Sequence, residues 1–238
     1  MNKTNYIDLL NKNDSFTTQD FVNEFKKGYP QLSEAYAKKI LYKYISNKAV
    51  ARIGRNKYIL LEKKSLKVYP YELSKYANKI IEEIKQYYPN LKFKVFELSG
   101  LNEFVNHQIA HNLIFLFVES SLGNFVFDLL KKEYLGSILL NPSIDDIEKY
   151  YIDNLIIIEP LVTEVPNNKN HKYNVCLEQL VVDLLCNDSI QSLINENEIP
   201  HIINLIIKKY VIDSSKMFRY ARRRSIEDKL KKIINKGE

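Results

Sequence analysis

The sequence predicts a mixed fold class, α+β and α/β, in two domains: an N-terminal domain of helices and a β-hairpin, and a C-terminal α/β domain that carries a helical segment. Three observations in the 238 residues predict it. A helical period over residues 33–46 changes to a strand period over residues 50–61. Strand and helix patterns alternate over residues 69–166, and only helical patterns follow. The predicted parts are residues 1–61, a linker over 62–68, the α/β domain over 69–166, and the helical segment over 167–238, packed on the α/β domain.

Residues 1–61 follow the order helix, helix, turn, helix, hairpin. Apolar residues from Tyr6 to Leu10 indicate a short amphipathic helix, and Thr17 with Asp20 predicts a capping box at the start of a second helix. Ser33 is the predicted N-cap of the third helix, and Gly and Asn at 54–57 suit the turn between two short strands. The apolar face of the third helix comprises Ala37, Ile40, Leu41, Tyr44 and Ile45. This order is typical of a winged helix-turn-helix.

In a helix-turn-helix the second helix of the pair enters the major groove of DNA, while flanking groups hold phosphates. The polar face of the third helix and the basic tip of the hairpin are therefore the candidate DNA-binding residues. They are Ser33, Tyr36, Lys38, Lys39, Tyr42 and Lys43 on the helix and Arg52, Arg55, Asn56 and Lys57 on the hairpin. A solvated helix presents the same lysine-rich face, and a winged helix also serves as a protein-docking domain, so both alternatives stay open.

The rest of the chain is predicted from the same periodicities. Strands are predicted at residues 91–98, 113–118, 137–140 and 155–159, the last continued by residues 161–165 past Pro160. Helices are predicted at residues 74–88, 123–132 and 143–151. Beyond residue 167, helices are predicted at residues 175–186, 189–195, 199–210 and 213–234.

Charge is unevenly distributed along the chain. Residues 1–68 carry 14 Lys or Arg against 6 Asp or Glu, residues 69–207 carry 10 against 19, and residues 208–238 carry 11 against 4. A basic head, an acidic middle and a basic tail imply that different surfaces meet different partners. The last predicted helix holds a second candidate basic surface, for which a solvated helix is again the alternative. That surface comprises Lys216, Arg219, Arg222, Arg223 and Arg224.

Several function classes are disfavoured by composition. At 45% apolar residues the chain is too hydrophobic for general disorder. It has no apolar run of about eighteen residues and no signal-peptide core, so we expect a cytoplasmic protein without a membrane partner. Cys176 and Cys186 stand ten apart without a CxxC motif, which disfavours both a disulfide framework and a zinc site. No Gly-rich phosphate loop or GxSxG motif appears, so no cofactor is predicted.

A metal-dependent nuclease is the enzymatic alternative. Glu97, Glu119 and Glu159 lie in or at the ends of predicted strands, where a nuclease-like core would hold metal-binding carboxylates. The acidic-x-Lys pair that such a site needs on the next strand is missing. We therefore expect neither an enzyme nor a metal site.

His107 and His111 have the spacing of a zinc-protease helix, but Gln108 stands where the general-base Glu would be. Asn102, Asn106, His107 and Gln108 form a polar cluster ahead of a buried strand. Buried polar groups need hydrogen-bond partners. The cluster is therefore interpreted first as a structural hydrogen-bond network and second as a ligand or protein contact.

Six segments spread over most of the chain point to a known family. They are the N-terminal helix-and-hairpin module, YPY at 69–71, FELSGLNEFVNHQ at 96–108, LIFLFVES at 113–120, IIIEPLVTEVP at 156–166 and LEQLVVDLL at 177–185. Together they resemble the AbiEi-type antitoxins of bacterial abortive-infection toxin–antitoxin systems. The resemblance implies an N-terminal domain that binds operator DNA and represses its own operon. It also implies a C-terminal domain that neutralises a nucleotidyltransferase-like toxin, and it leaves the oligomeric state open.

Overall fold

A computed structural model describes residues 15–61, 66–167 and 171–236 of the chain. The helices are α1 (Thr18–Gly28), α2 (Glu34–Ser46), α3 (Lys75–Tyr87), α4 (Gly123–Leu130), α5 (Ile144–Lys149), α6 (Leu177–Asp183), α7 (Asp188–Gln191), α8 (Ile199–Lys209), α9 (Ser214–Arg223) and α10 (Glu227–Lys236). The strands are β1 (Val50–Gly54), β2 (Lys57–Leu60), β3 (Phe93–Glu97), β4 (Ile114–Val118), β5 (Ile138–Leu140) and β6 (Ile156–Pro160). The predicted mixed α/β class is confirmed.

The chain divides into two compact units. The N-terminal unit comprises Met1–Tyr69 and Ile207–Arg219, and the C-terminal unit comprises Pro70–Ile206 and Tyr220–Glu238. From the sequence, all of residues 167–238 are predicted to pack on the α/β domain, whereas in the structure Ile207–Arg219 groups with the N-terminal unit. The helix predicted near Tyr6 lies outside the described residues, as do positions 62–65 of the predicted linker.

Both helix starts predicted in the N-terminal unit are confirmed. At α1 the Thr17 hydroxyl accepts the amide of Asp20 at 3.2 Å, and the Asp20 carboxylate accepts the amide of Thr17 at 2.8 Å. At α2 the Ser33 hydroxyl accepts the amide of Tyr36 at 3.2 Å. These bonds satisfy amides that have no partner within the first turn of a helix.

A small sheet completes the N-terminal unit. β1 and β2 are antiparallel, and the isolated residue Phe16 pairs with Tyr58 through two backbone hydrogen bonds of 2.9 Å. The turn includes Asn56 at φ +53°, a left-handed conformation that Asn tolerates better than most residues. The buried cluster beneath the sheet and the two helices comprises Phe16, Phe21, Val22, Phe25, Ala37, Leu41, Val50, Tyr58 and Leu60.

A second stretch of chain enters the N-terminal unit after α8. The amide of Lys67 donates to the carbonyl of Lys209, and the amide of Val211 donates to the carbonyl of Lys67, both at 2.9 Å. Tyr69 and Tyr210 pack edge to face with ring centroids 5.0 Å apart. The end of the predicted linker is thus paired with backbone about 140 residues later, a pairing that carries a large loop-closure cost in the unfolded chain.

The C-terminal unit is built on a four-stranded sheet of order β3-β4-β6-β5, in which β3 is antiparallel to β4 and the other neighbours are parallel. One face of the sheet packs against α3 and α4. The residues of this cluster include Ile80, Ile84, Val95, Leu116, Val126, Leu130, Ile138 and Ile158. Because side chains alternate along a strand, Lys94 and Phe96 project from the opposite face.

Two predicted elements differ from the structure. The chain does not continue β6 through residues 161–165, because it turns there, with Glu164 at φ +62°. The helix predicted at residues 213–234 is two helices, because Ser225 at φ +56° ends α9. Among the described residues, no helix is both long and apolar enough to cross a membrane.

A buried polar network lies inside the C-terminal unit. Asp183 is 3% exposed, and its carboxyl group accepts the Tyr220 hydroxyl at 2.9 Å and the Gln179 amide at 3.0 Å. Burial raises the pKa of Asp183 to about 6, because these two donors offset only part of the cost of desolvating a carboxylate. In the part of the chain that the structure describes, the Gln179 Oε1 atom has no hydrogen-bond partner.

The raised pKa of Asp183 makes stability depend on pH. A carboxyl group whose pKa is higher in the folded state stabilises that state below its ordinary pKa of 3.8, and this stabilisation is lost as the pH rises through about 6. Asp183→Asn stays neutral and offers an amide donor to Gln179 Oε1. We expect its free energy of unfolding, relative to wild type, to rise by about 1 to 3 kcal/mol between about pH 4 and pH 7.

Urea unfolding of wild type and Asp183→Asn across this pH range measures the difference between their free energies of unfolding. Asp128→Asn is the matched control, because Asp128 is exposed near the end of α4. We expect the difference in free energy of unfolding between this variant and wild type to be the same across the pH range. A difference for Asp183→Asn that stays constant with pH would contradict the expectation.

Candidate nucleic-acid interface

The face of α2 that points away from the core of the N-terminal unit is basic and aromatic. Lys38, Lys39 and Lys43 are exposed on it, and Tyr42 is 66% exposed. Within the described ranges, none of these three lysines forms an ion pair. Glu34, the acidic residue of this helix, lies 3.5 Å from the ammonium group of Lys26. The positive charge of this face is therefore uncompensated by the helix itself.

The two candidates in the first turn of α2 have structural roles. The Ser33 hydroxyl caps the helix. The ring of Tyr36 lies 6.2 Å from that of Phe25 in α1, and the residue remains 46% exposed. Tyr36 thus helps to join the two helices and still presents part of its side chain at the start of α2.

The hairpin candidates fall into two groups. The Arg52 Nε atom donates to the carbonyl of Gly54 at 2.9 Å and lies 3.7 Å from the Asp213 carboxylate. The Asn56 Oδ1 atom accepts the amide of Thr18 at 3.0 Å. These two side chains therefore hold the hairpin in place. The side chains of Arg55 and Lys57 are exposed.

Residues 213–215 bind the hairpin turn within the N-terminal unit. The Ser214 hydroxyl donates to the carbonyl of Ile53 at 2.8 Å, and the Ser215 hydroxyl accepts the amide of Arg55 at 2.9 Å. A Cβ atom at Gly54 would lie 3.2 Å from the Ser215 hydroxyl oxygen, so with a larger residue there the serine side chain would have to shift by a few tenths of an ångström. Sequence reasoning missed these contacts, because no local pattern relates the hairpin to residues about 160 positions later.

Asp213 joins the hairpin to the start of α9. The residue is 5% exposed, and its second carboxylate oxygen accepts the amide of Lys216 at 3.2 Å in the first turn of α9. One carboxylate thus caps a helix and faces the guanidinium group of Arg52. The sequence pattern predicts a helix that begins at Asp213, and an Asp at the start of a helical run is also an N-cap signal.

The second basic surface is not a continuous set of free cations. Within the C-terminal unit, Arg222 makes two hydrogen bonds to Glu227 at 2.8 and 3.1 Å. Arg223 donates to the carbonyl and the hydroxyl of Thr163, and Arg224 donates to the carbonyl of Cys186. These three arginines connect neighbouring segments of their own unit. In the N-terminal unit, Arg219 is exposed and Lys216 is partly buried.

Two of the three strand carboxylates considered for a nuclease, Glu97 and Glu159, have structural partners. Glu97 accepts the amide of Ser74 at 2.6 Å and the side-chain amide of Asn112 at 2.8 Å. Glu159 accepts the side-chain amide of Asn187 at 2.7 Å. Residues 15–61, 66–167 and 171–236 contain no group of three or more His, Cys, Asp or Glu residues that could hold a metal ion.

The polar cluster before β4 is partly engaged in structural contacts. The Asn102 Oδ1 atom accepts the amide of Ile109 at 2.8 Å. The ring of His111 packs edge to face against Tyr151 at 5.0 Å, and His107 is exposed. The structural interpretation therefore fits Asn102, and the two histidines do not share a helical face.

The chain also matches a protein-family model. The model of a family of unknown function, DUF6577, matches residues 36–238, which include most of α2, the hairpin and the C-terminal unit. No curated protein matches the chain.

The Asp213 contact can be separated into its two parts. Asp213→Ala removes both the α9 cap and the ion pair, and we expect it to lower the free energy of unfolding by about 1 to 2 kcal/mol. Asp213→Asn retains the capping oxygen and loses the charge. It should recover most of the loss, because the two groups are 3.7 Å apart and the half-exposed Arg52 side chain is screened by solvent, although Asp213 is buried. Chemical unfolding measures both variants, and equal losses would show that the ion pair dominates instead.

Proposed function

The chain belongs to the DUF6577 family, whose function is unknown, and we propose that its N-terminal unit is a winged helix-turn-helix domain that binds duplex DNA. The observation that carries the proposal is the exposed face of α2, whose lysines have no acidic partner among the described residues, opposite a face buried in the core. α1 and α2 are then the helix-turn-helix pair, α2 is the recognition helix, and β1 with β2 is the wing.

The spacing of the exposed residues supports this assignment. Lys39 and Lys43 are four apart, as are Lys38 and Tyr42, so each pair lies along one line of the helix surface. A helix with its side chains fits a major groove about 12 Å wide. Lysines on such a face contact phosphates and guanine edges. The exposed side chains of Arg55 and Lys57 would reach phosphates beside the groove.

The resemblance to AbiEi-type antitoxins supports a biological setting for this activity. We propose that the protein represses its own operon and neutralises a nucleotidyltransferase-like toxin through its C-terminal unit. The net charge of −9 over residues 69–207 favours a protein partner over DNA for this part of the chain. In this proposal the chain is a cytoplasmic regulator of phage defence and not an enzyme.

One observation favours a second candidate function. Tyr36 and Tyr42 are 46% and 66% exposed on the same helix as the lysines, and exposed aromatic residues are enriched in protein interfaces. A protein-docking winged helix would use these rings and would depend little on the lysines. Substitution of the lysines therefore discriminates between the two candidates.

DNA binding is tested by fluorescence anisotropy with a labelled duplex from the upstream region of the gene and a scrambled duplex. We expect the wild-type chain to prefer the upstream duplex. Lys39→Ala/Lys43→Ala should weaken binding at least about tenfold, because two phosphate or base contacts are lost. The matched control is Lys131→Ala/Lys132→Ala, which removes the same charge from exposed positions in the C-terminal unit. Equal effects of the two double variants would reject α2 as the DNA-binding element.

Salt dependence gives an independent test of the same interface. The affinity of the wild-type chain should fall linearly on a log–log plot against salt concentration, because counterions are released from DNA. Lys39→Ala/Lys43→Ala should reduce the magnitude of this slope by about 1 to 2. Binding that does not change with salt would contradict a phosphate-dominated interface.

The antitoxin part requires a neighbouring gene that encodes a nucleotidyltransferase-like protein, and co-expression of the chain with that product tests it. We expect the full chain to restore growth and to co-purify with the toxin. The variant Lys39→Ala/Lys43→Ala should do the same, because neutralisation is assigned to the C-terminal unit. Growth arrest that persists in the presence of the full chain would reject the antitoxin proposal and leave the DNA-binding proposal untouched.

A further inference from the structure

A cavity of about 280 Å³ lies in the C-terminal unit, at one edge of the four-stranded sheet. Its walls come from residues 92–94 at the start of β3, from Glu119 after β4, and from residues 161–165 after β6. β4 and β6 are parallel, and both end at this edge. The carboxyl ends of parallel strands are where open α/β sheets bind their ligands.

A buried lysine forms part of the wall. Lys94 is 5% exposed, and its ammonium group donates to the Asn167 side-chain oxygen at 2.9 Å and to the carbonyl of Lys172 at 2.7 Å. A third and longer contact, 3.4 Å, joins it to the carbonyl of Asn174. All three acceptors are neutral, and no ion pair involves Lys94 in the described part of the chain.

Buried ammonium groups are normally paired with a carboxylate, because neutral acceptors compensate only part of the lost hydration. Burial lowers the pKa of Lys94, and the nearby positive charge of Lys172 also lowers it. An anion in the cavity would supply the missing charge. It would also be able to replace the long contact to Asn174.

The rest of the lining is suited to a small organic anion. Lys92 and Lys172 are exposed and add two positive charges, while Phe93, Leu161 and Val162 supply apolar surface. Glu119 and Glu164 also line the cavity, so the three lysines exceed the carboxylates by one charge. Apolar walls with a few placed polar groups are typical of small-molecule sites, and the volume is near the lower end of their range.

We propose that this cavity binds a small organic anion, whose phosphate or carboxylate group is held by Lys94, Lys92 and Lys172 and whose apolar or aromatic part lies against Phe93 and residues 161–165. The cavity is lined by residues of the C-terminal unit alone, and the proposal does not depend on the proposed function. A duplex cannot enter a cavity of this size.

Isothermal titration calorimetry and thermal unfolding of the full chain test the proposal with defined probes. The probes are adenosine monophosphate and benzoate as organic anions, inorganic phosphate as a bare anion, and adenosine as a neutral control. We expect saturable binding and a raised Tm with at least one organic anion, weaker binding of inorganic phosphate, and none of adenosine. Adenosine monophosphate and benzoate together decide between a phosphate and a carboxylate ligand.

Variants assign the binding to the cavity. Lys94→Met removes the charge and retains the aliphatic stem, and it should abolish binding if circular dichroism shows a folded protein. Lys92→Ala/Lys172→Ala changes only exposed side chains and should weaken binding at least tenfold, so it decides the question even where Lys94→Met does not fold. The substitutions Lys131→Ala/Lys132→Ala lie outside the cavity, and the affinity of this variant for the anion should stay within twofold of that of wild type.

Two results would overturn the proposal. One is the absence of saturable binding of every anion up to about 10 mM. The other is binding that Lys92→Ala/Lys172→Ala leaves unchanged or that Lys131→Ala/Lys132→Ala weakens equally, because either would show that net charge rather than the cavity attracts the anion.

Discussion

The N-terminal unit depends on contacts between segments that are far apart in the chain. Residues 213–215 hold the hairpin turn through hydrogen bonds that join positions 160 and 161 apart, and backbone bonds join Lys67 to Lys209 and Val211. A two-stranded hairpin alone is marginal in water, and here Phe16, the helices and the returning segment support it. The loop-closure entropy of such distant contacts must be offset by the cluster that they help to bury.

Lysine has three roles in this protein, and its surroundings decide which. On α2 the lysines are exposed and form no ion pair with the residues that the structure describes, so they can form a positive face at little desolvation cost. On the surface of α3, Lys85 lies 2.8 Å from Glu82 one turn earlier, a pair that contributes little because both groups are solvated. At β3, Lys94 is buried among neutral oxygens, where the desolvation cost of its ammonium group is much larger than at the surface. Net charge by segment cannot distinguish these cases.

Local features were predictable from the sequence, and partners across the fold were not. The caps at Thr17 and Ser33 and the buried face through Ala37 and Leu41 follow from residue type and from the spacing within one element. The partners of Arg52, Arg223 and Lys94 depend on which segments meet in three dimensions, and nothing in a local period encodes that. The break at Ser225 was missed because a left-handed serine leaves no compositional signal of the kind that Gly or Pro leaves.

The return of residues 207–219 to the hairpin also sets an order of events during synthesis. A ribosome makes the chain from its N-terminus, at about 5 to 20 residues per second in cells. The hairpin therefore emerges without residues 213–215, and the intervening stretch takes on the order of 10 s to be made. The residues of α2 emerge early in this interval, but the wing beside them acquires its final support only after nearly all of the C-terminal unit has been translated.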